Sequence, residues 1–222
     1  MATLFLVRHG LTAQTGGVLY GRTPGISLDD RGWAQADHLA ERLRSVRLTA
    51  IYSSPLERCV ETVEPLAREQ GLPISPDERL IEMDAGRWTN RRLSSVRRLA
   101  AWREVQHAPG TFRFPGGESF PEAFERVTAA VESIARRHRR GRVAIATHGD
   151  IVRLLMCHFA GTPLERFQRN VIDTASVSVI LTGRDMPRVL LVNDVGGGLE
   201  RFGRSGAASP WDAGSRKRNL RG

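Results

Sequence analysis

Two short apolar runs in this chain each stop abruptly on a histidine. Thr3-Leu4-Phe5-Leu6-Val7 ends on Arg8-His9-Gly10, and Val143-Ala144-Ile145-Ala146-Thr147 ends on His148-Gly149. Neither run alternates apolar with polar positions, so each fits a strand in mid-sheet, covered on both faces. Between and around them, apolar residues recur at helical spacing. Trp33, Ala36, Leu39, Ala40 and Leu43 predict a helix over residues 30–46. Phe120, Phe124, Val127, Val131 and Ile134 predict another, opened by a Ser119/Glu122 capping box and closed at Gly141. Residues 49–53 form a strand pattern, and Ser54-Pro55 behind it supplies an N-cap and first position for a helix to Gln70. A short extended piece over 79–82, a helix over 151–159 capped by Asp150, and late strands over 176–181 and 188–192 complete the pattern.

Strands alternating with helices predict an α/β fold, a three-layer α/β/α sandwich around a mostly parallel central sheet. Right-handed crossovers then bring the strand C-termini to one edge, where open α/β sheets bind their ligands. One domain is expected over residues 1–195. The stretch 84–118 breaks the alternation with two tryptophans, an Arg-rich helical segment over 93–105 and the loop Phe114-Pro115-Gly116-Gly117. It is expected to be a lid-like excursion over the sheet edge. From residue 196 to 222 the chain is rich in Gly, Ser, Ala and Arg, the composition of a disordered basic tail.

Composition narrows the function classes. The 222 residues are 41% hydrophobic and 26% charged, as in an ordinary globular protein. The net charge of +9 is carried by arginine, since Lys217 is the one lysine, and part of it sits in the tail. The rest is interspersed with acids, which argues against a nucleic-acid partner. Cys59 and Cys157 form no C-x-x-C pair, so neither a disulfide framework nor a zinc site is expected. With no membrane-length apolar run and no charged leader before the first strand, a cytoplasmic location away from membranes is expected.

The chemistry gathers at the strand ends. His9, Arg58 and His148 all follow the C-termini of expected strands. Arg8 and Arg58 can fork onto the oxygens of a phosphoryl group. The helix starts behind Ser54 and at Gly149 add backbone donors for an anion. One histidine must be neutral to attack, and flanking arginines favour that state; the other can donate to the phosphoryl oxygens. A carboxyl group must protonate the leaving group and later take a proton from water, and Glu82 is the first choice among neighbours that include Glu78, Asp84 and Glu118. Arg22 either reaches substrate or pairs with an acid. Arg87, Arg91, Arg92, Arg97, Arg98 and Arg103 fit the solvated face of a helix better than an anion trap.

In these motifs the chain resembles the histidine phosphatase superfamily, the group of phosphoglycerate mutases, fructose-2,6-bisphosphatases and α-ribazole phosphatases. The matching pieces are Leu6-Val7-Arg8-His9-Gly10, Gly21-Arg22-Thr23-Pro24-Gly25 and Ser54-Pro55-Leu56-Glu57-Arg58. Glu82-Met83-Asp84-Ala85-Gly86-Arg87-Trp88, Gly116-Gly117-Glu118-Ser119 and Thr147-His148-Gly149-Asp150 follow in the family's order. The resemblance implies a phosphoglycerate mutase-like fold and a phosphohistidine on His9. It also implies phosphate contacts from Arg8, Arg58 and His148, Glu82 as proton donor, and neither metal nor organic cofactor. The chain departs from the family at residues 11–15, which lack the usual Asn, and at Thr89-Asn90, where Glu-Gly is usual. It looks most like a branch named only as probable phosphatases or phosphomutases. The expected activity is hydrolysis of a small phosphorylated metabolite. A phosphomutase using the same residues is the alternative, and a non-catalytic basic module a remote one. An exposed apolar edge would allow a homodimer.

Overall fold

Successive side chains of the first strand face two different cores, which fixes the layering. In the computed structural model, which describes residues 1–183, 186–196 and 199, Leu4 and Leu6 enter one apolar cluster and Phe5 and Val7 the other. The same alternation splits Val143 and Ile145 from Ala144 and Ala146. Both strands are therefore buried on each face. Burying such side chains contributes roughly 1.5–3 kcal/mol each, so the middle of the sheet is the best-anchored part of the fold.

The described elements run in the order β1 (Thr3–Arg8), β2 (Val18–Leu19), α1 (Asp30–Leu43), β3 (Ala50–Ser53), α2 (Glu57–Gln70) and β4 (Ile74–Pro76). There follow β5 (Arg91–Arg92), α3 (Leu93–Val96), α4 (Ala100–His107), α5 (Phe120–Arg137), β6 (Arg142–Thr147), α6 (Gly149–Ala160), β7 (Val177–Leu181) and β8 (Arg188–Asp194). The main sheet has the order β4-β3-β6-β1-β7-β8. The pairs β4–β3, β3–β6 and β6–β1 are parallel, whereas β7 runs antiparallel to both β1 and β8. Residues of α1 and α2 fill the cluster with Phe5 and Val7; those of α5, α6 and the excursion fill the cluster with Leu4 and Leu6. The three-layer α/β/α sandwich expected from the sequence is present.

Several local expectations are corrected. The helix behind Ser54-Pro55 begins two residues later, with Leu56 at the N-cap position and no side-chain cap. Residues 79–82 form no strand. Glu78–Leu80 is a 3-10 turn, capped by Asp77, whose carboxylate accepts from the Arg79 N–H. The extended segment in this region is β4, which the sequence reading overlooked because it is only three residues long and ends on a proline. The 93–105 helix is two helices, α3 and α4. At the start of α6 it is His148, not Asp150, that occupies the N-cap position; Asp150 lies in the first turn and pairs with Arg153 at 2.7 Å. The capping box on α5 is present on both sides, Ser119 with the Glu122 N–H and Glu122 with the Ser119 N–H. Apart from residues 196 and 199, the expected tail lies outside the described residues.

One glycine ties the segment after His9 to the α1 layer. The Leu11 carbonyl accepts from the Asp29 N–H at 3.0 Å, and the Leu11 N–H donates to Gln35 Oε1 at 2.9 Å. Gly32, in the first turn of α1, makes room for this: a Cβ there would collide with the Leu11 carbonyl oxygen. Alanine gains about 1 kcal/mol over glycine in helix propensity, but forcing a methyl group into a filled space costs about 1–3 kcal/mol. Because the colliding atom is backbone, the second effect wins. Gly32→Ala should therefore lower the urea midpoint and reduce activity together, and a midpoint at or above wild type would contradict the packing.

Candidate active site

Register places the two histidines. Along the parallel β1–β6 pair the last partners are Arg8 and Thr147, so His9 and His148 are the next residues off the same edge. Their ring centroids lie 5.4 Å apart with the rings edge to face. Both side chains are buried. The Nδ1 of His9 lies 2.8 Å from the Gly10 carbonyl. A carbonyl only accepts, so Nδ1 carries the hydrogen and the Nε2 lone pair is free. The Nε2 of His148 is 2.8 Å from Ser54 Oγ, and its Nδ1 is 4.0 Å from Glu82 Oε2.

Two arginines surround this pair. Arg58 is fully buried in the first turn of α2, where Nη2 donates to the Gly21 carbonyl at 2.7 Å and Nη1 to the Thr23 carbonyl at 3.3 Å. Its guanidinium carbon stands 4.7 Å above the Tyr20 ring. Arg8 donates from Nη1 to the Ile172 carbonyl at 2.6 Å. Among the described residues, neither has a carboxylate in salt-bridge range, and the buried Nε atoms of both find no protein acceptor. Gly149 passes so close to Arg8 that a Cβ there would stand 3.2 Å from its Nε. Burial first, then the charges of Arg58 and Arg8, hold the His9 imidazolium down to a pKa of about 3. Burial and Arg58 likewise push His148 well below its ordinary value. Both rings are neutral, and the surrounding donors suit an anion.

Glu82 supplies the carboxyl group, from a segment without regular structure just past the 3-10 turn. Its Oε1 accepts from the Met83 N–H at 3.0 Å. Burial, and then the negative charge of Asp150, raise its pKa to about 7. Such a group can give or take a proton near neutrality.

With this geometry in hand, comparison with known proteins is decisive about kinship. The sequence profile of the histidine phosphatase superfamily, branch 1, matches residues 4–195. The chain belongs to this superfamily. Phosphoserine phosphatase 1 of Hydrogenobacter thermophilus is 33% identical over 185 residues, covering 81% of this chain and 86% of that protein. Probable phosphoglycerate mutase GpmB of Salmonella choleraesuis is 33% identical over 182 residues, covering 81% and 85%. Among solved structures, Bacillus stearothermophilus YhfR superposes with a TM-score of 0.83 at 32% identity, covering 88% of this chain and 98% of its own. The protein is thus an enzyme of a superfamily whose similar members carry phosphatase and mutase names.

Of the residues that the sequence singled out in this histidine phosphatase, His9, His148, Arg8, Arg58, Glu82 and Gly149 gather in one cluster. Arg22 is near it but occupied, with Nε on the Glu82 carbonyl at 2.7 Å and Nη2 on Glu118 Oε2 at 3.0 Å. The six arginines of the excursion are exposed, as expected, and have no acidic partner among the described residues, but they share no helix face: Arg87 lies in a 3-10 turn, Arg91 and Arg92 form β5, Arg97 and Arg98 follow α3, and only Arg103 is in α4. In the loop that lacks the family's Asn, Thr12 is buried and shares a 3.0 Å hydroxyl contact with Thr15. Among the described residues no three His, Cys, Asp or Glu side chains converge as metal ligands, and no helix is long and apolar enough to cross a membrane.

Four contacts escaped the sequence reading. Ser54, taken for a helix cap, instead meets His148. Tyr20 stacks under Arg58. Thr62 Oγ1 accepts from the Gly10 N–H at 2.8 Å and donates to the Arg58 carbonyl at 2.6 Å, joining the loop after His9 to α2. Cys59, its thiol pKa raised by burial, lies against His148 with Sγ 3.5 Å from Nε2. A Tyr in a Gly-rich loop and a Thr one helical turn beyond Arg58 were the available signals. On titration by nitrogen-detected NMR, His9 should stay neutral with hydrogen on Nδ1 from neutral pH down to about 3. A His9 resonance that titrates like a free imidazole would contradict the site's electrostatics.

Proposed function

We propose that the protein hydrolyses a small phosphate monoester through a phosphohistidine on His9. The observation that carries this reading is the free Nε2 lone pair of a buried, neutral His9 beside two arginines whose Nε donors have no protein acceptor among the described residues. In the first step Nε2 attacks phosphorus in line with the ester oxygen. The N–P bond forms as the P–O bond breaks, and Glu82 gives its proton to the departing alkoxide. Arg8, Arg58, His148 and the Gly149 N–H take the charge spread over the three equatorial oxygens. In the second step Glu82, now a carboxylate, takes a proton from the attacking water. The P–N bond breaks, phosphate leaves and His9 is restored. A pKa near neutrality suits a residue that must act as acid and then as base.

A mutase shares the first step but returns the phosphoryl group to a sugar or acid hydroxyl. That second reading is favoured by the mutase name of a relative as similar as the phosphatase. Release of inorganic phosphate from a metabolite panel separates the two outcomes. Phosphoserine and phosphoglycerate, taken from the relatives' names, head that panel. A protein that bound but never turned over any phosphate ester would fit the basic-module reading instead.

His9→Ala should lower turnover by on the order of a thousandfold or more, since removing a covalent nucleophile leaves only binding and charge stabilisation. Quenched wild-type enzyme should carry an acid-labile phosphoryl group on His9, and its absence during turnover would exclude the covalent route. The pH dependence follows from the raised pKa of Glu82. The protonated form needed in the first step persists below about 7 and is lost above it, so kcat/KM for an alkyl phosphate should fall on the alkaline side. Glu82→Gln should lower kcat/KM by about 10²–10⁴-fold and abolish that limb. A limb retained in the variant would assign it to another group.

A further inference from the structure

Glu82 sits where no strand or helix holds the backbone, yet its position relative to His148 is well defined. The carbonyls around it show what holds it. Leu80 O accepts from Thr147 Oγ1 at 2.7 Å, at the end of the central sheet. Arg126, on α5, donates from Nη1 to Arg79 O at 2.7 Å and to Ile81 O at 3.0 Å. Arg22 donates from Nε to Glu82 O at 2.7 Å.

Both guanidinium groups are fixed by one carboxylate. Glu118 takes Arg126 as a two-point fork, Nε to Oε1 at 2.8 Å and Nη2 to Oε2 at 2.9 Å, and takes Arg22 Nη2 on Oε2 at 3.0 Å. Its side chain is 12% exposed. A guanidinium is a rigid plane, so anchoring one edge of Arg126 dictates where Nη1 points on the other. Glu118 also closes the excursion on itself: its N–H donates to Asp84 O at 3.0 Å, and the Asp84 N–H lies 3.4 Å from Oε2. The residue that ends the excursion therefore sets the geometry of the segment that begins it.

We propose that Glu118 is a positioning residue for Glu82, acting through Arg126 and Arg22 on the backbone carbonyls of residues 79, 81 and 82. It rests on Glu82 being the proton carrier. A misplaced proton carrier has a signature that general loosening of the fold lacks. An alkyl phosphate needs its leaving group protonated, whereas dinitrophenolate departs without a proton. Loss of proton delivery therefore depresses kcat/KM for the first substrate and spares the second.

The test compares kcat/KM for an alkyl phosphate and for dinitrophenyl phosphate in wild type, Glu82→Ala, Glu118→Gln and Glu118→Asp. Glu118→Gln keeps the side-chain shape but turns an amide towards the two guanidinium groups. It should lose about tenfold or more on the alkyl ester and less than about threefold on the aryl ester, with Glu118→Asp recovering part of the loss. If Glu118→Gln does not fold, Arg22→Gln, which removes the bond to Glu82 O, should show the same selective loss. Equal losses on both esters, or none, beside a selective loss in Glu82→Ala would overturn the role of Glu118 alone. An unselective Glu82→Ala would overturn the proton-carrier reading and this inference with it.

Discussion

Burying a guanidinium group without a carboxylate against it is costly, and among the described residues Arg58 is such a group. Two backbone carbonyls and the face of Tyr20 offset part of that cost, and the remainder appears as an unbalanced positive field at the C-terminal edge of the sheet. Much else follows from that field. It helps keep both histidines neutral, which leaves one with a lone pair and the other able to donate. Together with Arg8, it makes the crevice a place where a doubly charged group is less costly to hold than it would be in an ordinary protein interior.

The acids are arranged so as not to cancel it. Glu82 is half-buried with its pKa raised to about 7, so near neutrality it carries only part of a negative charge. Glu118 is paired with Arg22 and Arg126 beside the site. Asp150 pairs with Arg153. The excess of arginine in the composition thus has two structural uses. Arg8 and Arg58 have no acid against them among the described residues, and Arg22 and Arg126 serve as rigid braces for the main chain.

Long-period features of this fold were legible in the sequence. The apolar runs before His9 and His148 announced central strands, and the Ser119/Glu122 pair announced the start of α5, because burial on two faces and reciprocal capping each leave a local signature. Most of the site residues were legible because they stand where a strand hands over to a helix: Arg8 ends β1, His9 and His148 follow β1 and β6, and Arg58 lies in the first turn of α2. What failed depended on partners far along the chain. Ser54 has the chemistry of a helix cap, but a histidine 94 residues away takes its hydroxyl. Residues 79–82 carry the apolar pair Leu80-Ile81, yet Asp77 caps a tight turn there and the guanidinium braces take the carbonyls a neighbouring strand would have used. Glu118 lies beside a helix start, so local spacing hid its role.

The pairing of β1 with β6 has a consequence for how the molecule comes into being. His9 belongs to the first strand made, but both of that strand's neighbours, β6 and β7, come from the last third of the described chain. During synthesis β1 must therefore wait, apolar on both faces and unpaired, until most of the polypeptide has been made. The two histidines meet only when that long loop closes, and a slip of one residue in the pairing would turn their side chains to opposite sides of the sheet. Assembly of the histidine pair and completion of the sheet are thus one event, and a nascent or misregistered chain carries His9 without His148 beside it.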